Sequence, residues 1–217
     1  MEVALGGLGL LILGGVIWRA SSTTDPTVVH LQNGTQSGKV PYTSSVTLPR
    51  SNNQAEGATF SFDGWFEVSD FTYGNGTQRV VFSHNDCPGL YLASQGGSIL
   101  VTLTTYGAME SILIDNIPAQ KWIHIAIVIT QYTADVYING ILRRHHTLTQ
   151  LPKQEDAPTQ IGSSSNGFDG QVGGLTYYAR ALTATEVSMH AAAAPPASLV
   201  HAPEAGSYLD MTWYTGR

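Results

Sequence analysis

The stretch KWIHIAIVITQYTADVYING, Lys121 to Gly140, decides the fold. Ile123, Ile125, Ile127 and Ile129 recur at every second position, which is the period of a strand, and Trp122, His124, Ala126 and Val128 leave the other face almost as apolar. A strand greasy on both sides belongs at the centre of a covered sheet. After the polar TQYT turn, a second alternation from Asp135 to Tyr137 runs into Asn139-Gly140, where both residues tolerate positive φ. That pair predicts a tight hairpin returning through ILRRHHTL. On the returning arm alternation sends Arg143 and His145 to one face and Arg144 and His146 to the other, so the adjacent histidines diverge and cannot share a metal ion. The two arginines are expected to meet acidic neighbours or a partner surface rather than a phosphate.

Outward from this hairpin the same grammar repeats. RVVFS, GLYLAS, SILVTLTT and SILIDNI read as strands separated by turn residues, and TVVHL and SSVTL as shorter ones punctuated by Asn33-Gly34, Gly38, Pro41 and Pro49. ATFSFDGWFEV sets Phe60 and Phe62 against Thr59 and Ser61, the pattern of a half-buried strand. One helix is expected, in ALTATEVSMHAAAA: Thr183 and Glu186 have capping-box spacing, and Pro195-Pro196 stop it. The chain then ends in SYLDMTWYTGR, whose Tyr208, Trp213 and Tyr214 are expected to pack against something.

Composition agrees with an all-β body. Of 217 residues, 42% are hydrophobic and only 12% charged, with 23 glycines, enough for one core and short for two. A net charge of -6 offers no electrostatic footprint for nucleic acid. The single cysteine, Cys87, excludes an intramolecular disulfide.

Residues 1–20 stand apart. No charge interrupts Val3 to Trp18, and Leu10, Leu11, Ile12, Leu13, Val16, Ile17 and Trp18 give a run too continuous for one face of a soluble helix. As a helix it would reach roughly 24 Å, against a ~30 Å hydrocarbon core, so local thinning or flanking help is needed. Glu2 and Trp18 argue against a cleaved signal peptide. Arg19 votes for a cytosolic body. The sequons Asn33-Gly34-Thr35 and Asn75-Gly76-Thr77 vote for the lumen, although Asn-Gly is also the type I′ turn pair, and turns are the favoured reading. The expected layout is an anchor helix at 1–20, a linker at 21–26, the body at 27–190 and a Pro/Ala-rich extension with an aromatic end at 191–217.

WIHIAIV, VYING and IGSSSNGFDGQVGGLTYYARALTATEV together resemble the laminin G-like, concanavalin A-like lectin/glucanase family, which runs Trp-x-His-x-Ala, Tyr-x-Asn-Gly, Phe-x-Gly and Arg-Ala-Leu-(Thr/Ser)-x-x-Glu in that order. The resemblance implies a two-sheet antiparallel jelly roll. It also implies that Trp122 and Tyr137 pack in or beside the core, that His124, Asn139 and Gly140 belong to the same framework, and that Phe168, Asp169 and Gly170 open one of the last strands. More narrowly, LPRSNNQAEGATFSF, PGLYL, ILIDNIPAQKWIHIAIVI, VYING and a terminal WY segment behind an N-terminal apolar run resemble membrane-anchored lectin-like virion proteins of large DNA viruses of eukaryotes.

Chemistry-bearing constellations are sparse. Glucanases of this fold need close, paired carboxylates, whereas Glu67 and Asp70 have the wrong spacing. No G-x-S-x-G occurs, and Cys87 beside His84 reads as a turn residue before Pro88. Calcium, which many such modules bind, would have to use Asp63, Asp70, Asn85, Asp86, Asp135 or Asp169, which form no ligand loop. His124 reads as a satisfied core histidine. The sequence therefore predicts a non-enzymatic, single-pass structural or docking protein with no cofactor. Its partners would be a bilayer and neighbouring capsid or membrane proteins, as in a minor capsid component linking a viral internal membrane to the capsid, with the C-terminal domain facing the capsid. The alternative is a glycan-binding, lectin-like module displayed on a membrane.

Overall fold

The computed structural model describes residues 25–51 and 57–197; the apolar run 1–20, the terminal aromatic segment and most of the QAEG stretch lie outside the described residues. Thirteen strands and one helix follow in chain order: β1 (Val28–His30), β2 (Thr35–Ser37), β3 (Tyr42–Ser44), β4 (Phe60–Asp70), β5 (Arg79–Ser83), β6 (Gly89–Leu92), β7 (Ser98–Leu103), β8 (Glu110–Asp115), β9 (Trp122–Ile129), β10 (Thr133–Ile138), β11 (Ile141–Thr147), β12 (Thr159–Ile161), β13 (Asp169–Tyr178) and α1 (Ala184–Ala192). One sheet has the order β1-β13-β4-β9-β10-β11, with β2 also on β13, and the other has the order β3-β12-β5-β6-β7-β8. Every pairing between these strands is antiparallel.

The core lies between the two sheets. Ile123, Ile125, Ile127 and Ile129 all point inward and are at most 3% exposed, beside Phe60, Phe62 and Phe66 of β4. Across the gap stand Phe82, Leu90, Leu92, Ile99, Val101 and Ile112. The Phe62 and Phe82 rings stack at 5.8 Å, joining the sheets directly. β9 sits between β4 and β10 and is buried along nearly all its length, as its two apolar faces require.

The Asn139-Gly140 hairpin forms as its sequence demands, with φ of 50° and 78° at the two positions. Asn139 does more than turn the chain, because its side-chain oxygen accepts the His124 N–H at 2.9 Å. The sequons behave differently. Gly34 and Gly76 have positive φ but Asn33 and Asn75 do not, so neither is a type I′ pair; each lies in a longer connection rather than a two-residue hairpin. The capping box holds too: the Thr183 hydroxyl accepts from Glu186 N–H, and the Glu186 carboxylate accepts from Thr183 N–H.

Three local expectations need correction. β4 is buried on both faces rather than half-buried, because the chain after β13 folds back over it: the Ser61 hydroxyl donates to the Arg180 carbonyl at 2.9 Å and accepts from Leu182 N–H at 3.0 Å. SSVTL is not a strand. The strand there is β3, which pairs only with the three-residue β12, so the ladder ends at Ser44 and the following residues become a loop whose Leu48 still enters the core. Trp122 lies on the outer face of its sheet opposite Glu67 and is only partly buried, since the inward positions belong to the isoleucines. Among the described residues no helix is long and apolar enough to cross a membrane.

Candidate functional site

Five connections meet at one end of the sandwich: that between β3 and β4 (described at 45–51 and 57–59), 84–88, 104–109, 130–132 and 148–158. Loops clustered at the end of a rigid sandwich are where binding side chains are usually presented. Here backbone groups lock them together. Thr104 N–H donates to Asp86 O at 2.7 Å, Lys153 N–H to Thr104 O at 2.9 Å, Tyr106 N–H to Leu151 O at 2.9 Å and Leu148 N–H to Tyr132 O at 2.8 Å. The buried Tyr177 extends the network from below, its hydroxyl donating to Pro49 O at 2.7 Å and accepting from Gln154 Nε2 at 2.7 Å.

On this locked rim sits a cleft of about 290 Å³ lined by Arg50, Tyr106, Gln131, Leu151, Pro152 and Gln154, with Ala58 at its edge. Tyr106 is 73% exposed although its backbone is fixed, and Tyr132 of the 130–132 turn is 63% exposed. Gln131 Nε2 donates to the Tyr132 hydroxyl at 3.1 Å, and Arg50 Nη2 lies 3.6 Å from Asp156. Exposed aromatic rings on a rim of fixed backbone, with amide and guanidinium donors, suit a ligand with apolar C–H faces and a rim of hydroxyls. Among the described residues no carboxylate lines the cleft.

The carboxylates singled out in the sequence lie elsewhere and are already engaged. Asp63 and Glu67 share the outer face of β4 four residues apart, roughly 13 Å along a strand, well beyond the ~5 to 9.5 Å of glycosidase pairs. Burial pushes the Glu67 carboxyl above its ordinary range, while the Ser69 hydroxyl donates to it at 3.1 Å. Asp70 caps the turn after β4, accepting from Thr72 N–H at 2.7 Å. Asp169 pairs with Lys39 at 2.9 Å and Asp135 with His145 at 2.5 Å. Asp86 accepts from the Tyr91 hydroxyl and, at 3.2 Å, from Thr102, while Asn85 donates to Glu155. The six calcium candidates are thus spread over both ends and both faces; among the described residues no group of three or more His, Cys, Asp or Glu could hold a metal ion.

Cys87 is 2% exposed, and burial pushes its thiol up to about 12, so it is a protonated core side chain. His84 is fixed by Thr159 Oγ1 and Glu155 O, each at 3.0 Å, and its burial holds its pKa below the ordinary histidine value. His145 and His146 diverge as alternation predicts, His146 reaching Glu110 across to β8 at 2.6 Å. Tyr137 is buried with Ala126 and Val128 beneath Leu182 and Val187 of the helical segment. Phe168 is fully buried, and a Cβ on Gly170 would fall 2.0 Å from the Glu67 carbonyl, which explains the small residue there. Sequence reasoning missed the rim residues Tyr106, Tyr132, Gln131 and Gln154. Their signal was two large aromatics in turn segments with no apolar periodicity.

Residues 38–188 match the concanavalin A-like lectin/glucanases superfamily, and the chain belongs to it. No curated protein matches the chain. Among solved structures it is similar to the receptor binding domain of botulinum neurotoxin D, with a TM-score of 0.57 and 13% identity over 76% of this chain and 52% of that one. It is also similar to the botulinum neurotoxin serotype D ligand binding domain in complex with N-acetylneuraminic acid (TM-score 0.57, 13% identity, 76% of this chain and 50% of that one). The binding domain of Paraclostridial Mosquitocidal Protein 1 gives a TM-score of 0.54 at 16% identity, over 76% of this chain and 46% of that one. At such identities the likeness is one of fold. The chain spans at most 52% of these structures.

Proposed function

We propose that this chain is a non-enzymatic binding module, held at a membrane by residues 1–20, whose rim cleft recognises a glycan. One observation carries the reading: an exposed aromatic side chain at Tyr106, on backbone held to Leu151 O, beside amide and guanidinium donors, in a cleft that no carboxylate lines among the described residues. A sugar ring stacks its C–H face on such a platform and its hydroxyls find the donors, while cleavage would need an acid and a base that the described lining does not supply. Support also comes from the fold neighbour solved with N-acetylneuraminic acid, although fold alone does not transfer a ligand. A glycan array probed with the full chain in nanodiscs tests this. Saturable binding to a defined glycan, lost in Tyr106→Ala, supports it; no binding above background, or release of cleaved sugar, refutes it.

A second reading, a docking component between the internal membrane and the capsid of a large DNA virus, draws on the narrower sequence resemblance and on one structural feature. The edge strand β11 is exposed along its length and carries Ile141 and Leu142 outward. Crosslinking within intact particles would test it: links to capsid protein support it, and absence of the chain from purified particles rules it out.

A further inference from the structure

We propose that the open side of the sandwich between β8 and β11 docks an acidic, extended segment of a partner protein. β8 and β11 are the free terminal strands of the two sheets, so each presents an unpaired backbone edge on the same side of the molecule. They are joined at one end by the His146–Glu110 contact of 2.6 Å, and midway Arg144 Nε reaches the Leu113 carbonyl at 3.5 Å. Beyond that point a groove of about 340 Å³ opens, lined chiefly by Ile114, Ile141, Leu142, Arg143 and Arg144. It lies at the end of β8 remote from the glycan cleft, and the proposal does not depend on that cleft.

Charge selects the occupant. Arg50 faces Asp156 and the half-buried Arg180 grips Glu186, whereas the exposed Arg143 and Arg144 have no carboxylate partner among the described residues. Asp115, the acid lining the groove, already accepts from the Ser98 hydroxyl at 2.7 Å. Apolar surface flanks the arginines, with Leu113 47%, Ile141 67% and Leu142 47% exposed. Charges usually protect a free edge from pairing. The β10–β11 register shifts between Val136 and Tyr137, leaving Arg143 as an extra, unpaired residue, and both arginines line the one groove; two such cations among exposed aliphatics match an extended segment that alternates acidic and apolar side chains, lying along β11. A second copy fits less well, because the acidic ends of its own β8 are engaged: Glu110 by His146 and Thr149, Asp115 by Ser98.

The test uses the full chain in nanodiscs and a short, capped, fluorescent peptide alternating Glu and Val, with a Lys and Val peptide as control. The acidic peptide should bind saturably, weaken as salt rises, and slow amide exchange along β11. Its affinity should fall at least about tenfold in the Arg143→Glu, Arg144→Glu double variant, whose melting temperature stays near wild type because both side chains are exposed and the variant gives up only the long, exposed 3.5 Å contact to Leu113 O. Equal binding of the basic peptide, an unchanged affinity in the double variant, protection mapped away from β11, or self-association of the chain through β11 would each overturn the proposal.

Discussion

Asp63 and His124 face each other across β4 and β9, Oδ2 to Nε2 at 3.0 Å, on the outer side of the sheet where α1 lands. His190 of α1 approaches the same oxygen at 3.3 Å, and its ring stacks on Tyr178 at 5.7 Å. Both contacts lie at ion-pair distance, and with the apolar packing of Leu182 and Val187 they hold the helical segment on the sheet. Burial by itself would raise the Asp63 pKa, but the two imidazoles outweigh it and hold the carboxyl below its ordinary value. Contact with Asp63 raises His190 in turn.

This pair predicts a pH-dependent clasp. The raised His190 contributes fully below its unfolded value near 6.5 and loses its contribution as pH rises through the folded value; the lowered Asp63 contributes above 3.8 and loses it as pH falls through its folded value. His190→Ala should therefore cost about 1.5 kcal/mol between pH 4 and 6 and less at pH 9. Urea melts of both proteins across pH check this; a difference that grows with alkalinity would contradict it.

Arg79 is fully buried, and among the described residues no carboxylate forms an ion pair with its guanidinium. Its Nη1 donates to Phe71 O and Tyr73 O at 2.7 Å and its Nη2 to Ala93 O at 2.9 Å, tying two loops together. Arg79→Ala would leave three carbonyls bare and should cost roughly 3 kcal/mol or more. Arg79→Lys should rescue little, since a compact ammonium cannot span the same fork. Chemical denaturation and proteolysis within residues 71–77 are the readouts.

The two faces of β9 should respond unequally. Ile125→Ala opens the core and should cost about 2 to 5 kcal/mol, whereas Trp122→Ala, on the partly buried outer face, should cost only about 1 to 2. Equal losses of melting temperature would mean that Trp122 is packed as tightly as the isoleucines.

Cys87 should be inert while the chain is folded. Its burial and a thiol pushed up to about 12 predict no labelling by iodoacetamide at pH 8 in native protein and full labelling in urea. Fast native labelling would show that the 84–88 loop opens.

Much of this was legible in the sequence, and unevenly. Period-two alternation fixed β9, and Asn139-Gly140 fixed the hairpin, because those signals are local. The burial of β4 on both faces was hidden, since it depends on Arg180 and Leu182 returning from 119 and 121 residues away. The three-residue strands β2 and β12 carry too little alternation to announce themselves. The site was the least legible part. Tyr106 and Gln131 belong to different turns, and only the register of the strands beneath brings them to one cleft.

The most direct test of the account is a chemical-shift map of the full chain in nanodiscs, titrated with the strongest glycan from an array. The account predicts saturable shifts centred on Tyr106, Tyr132, Gln131 and Gln154, abolished in Tyr106→Ala while the core signals of Phe62 and Ile125 stay in place. Shifts centred instead on the outer face at Trp122, or no saturable shifts with any glycan, would contradict it.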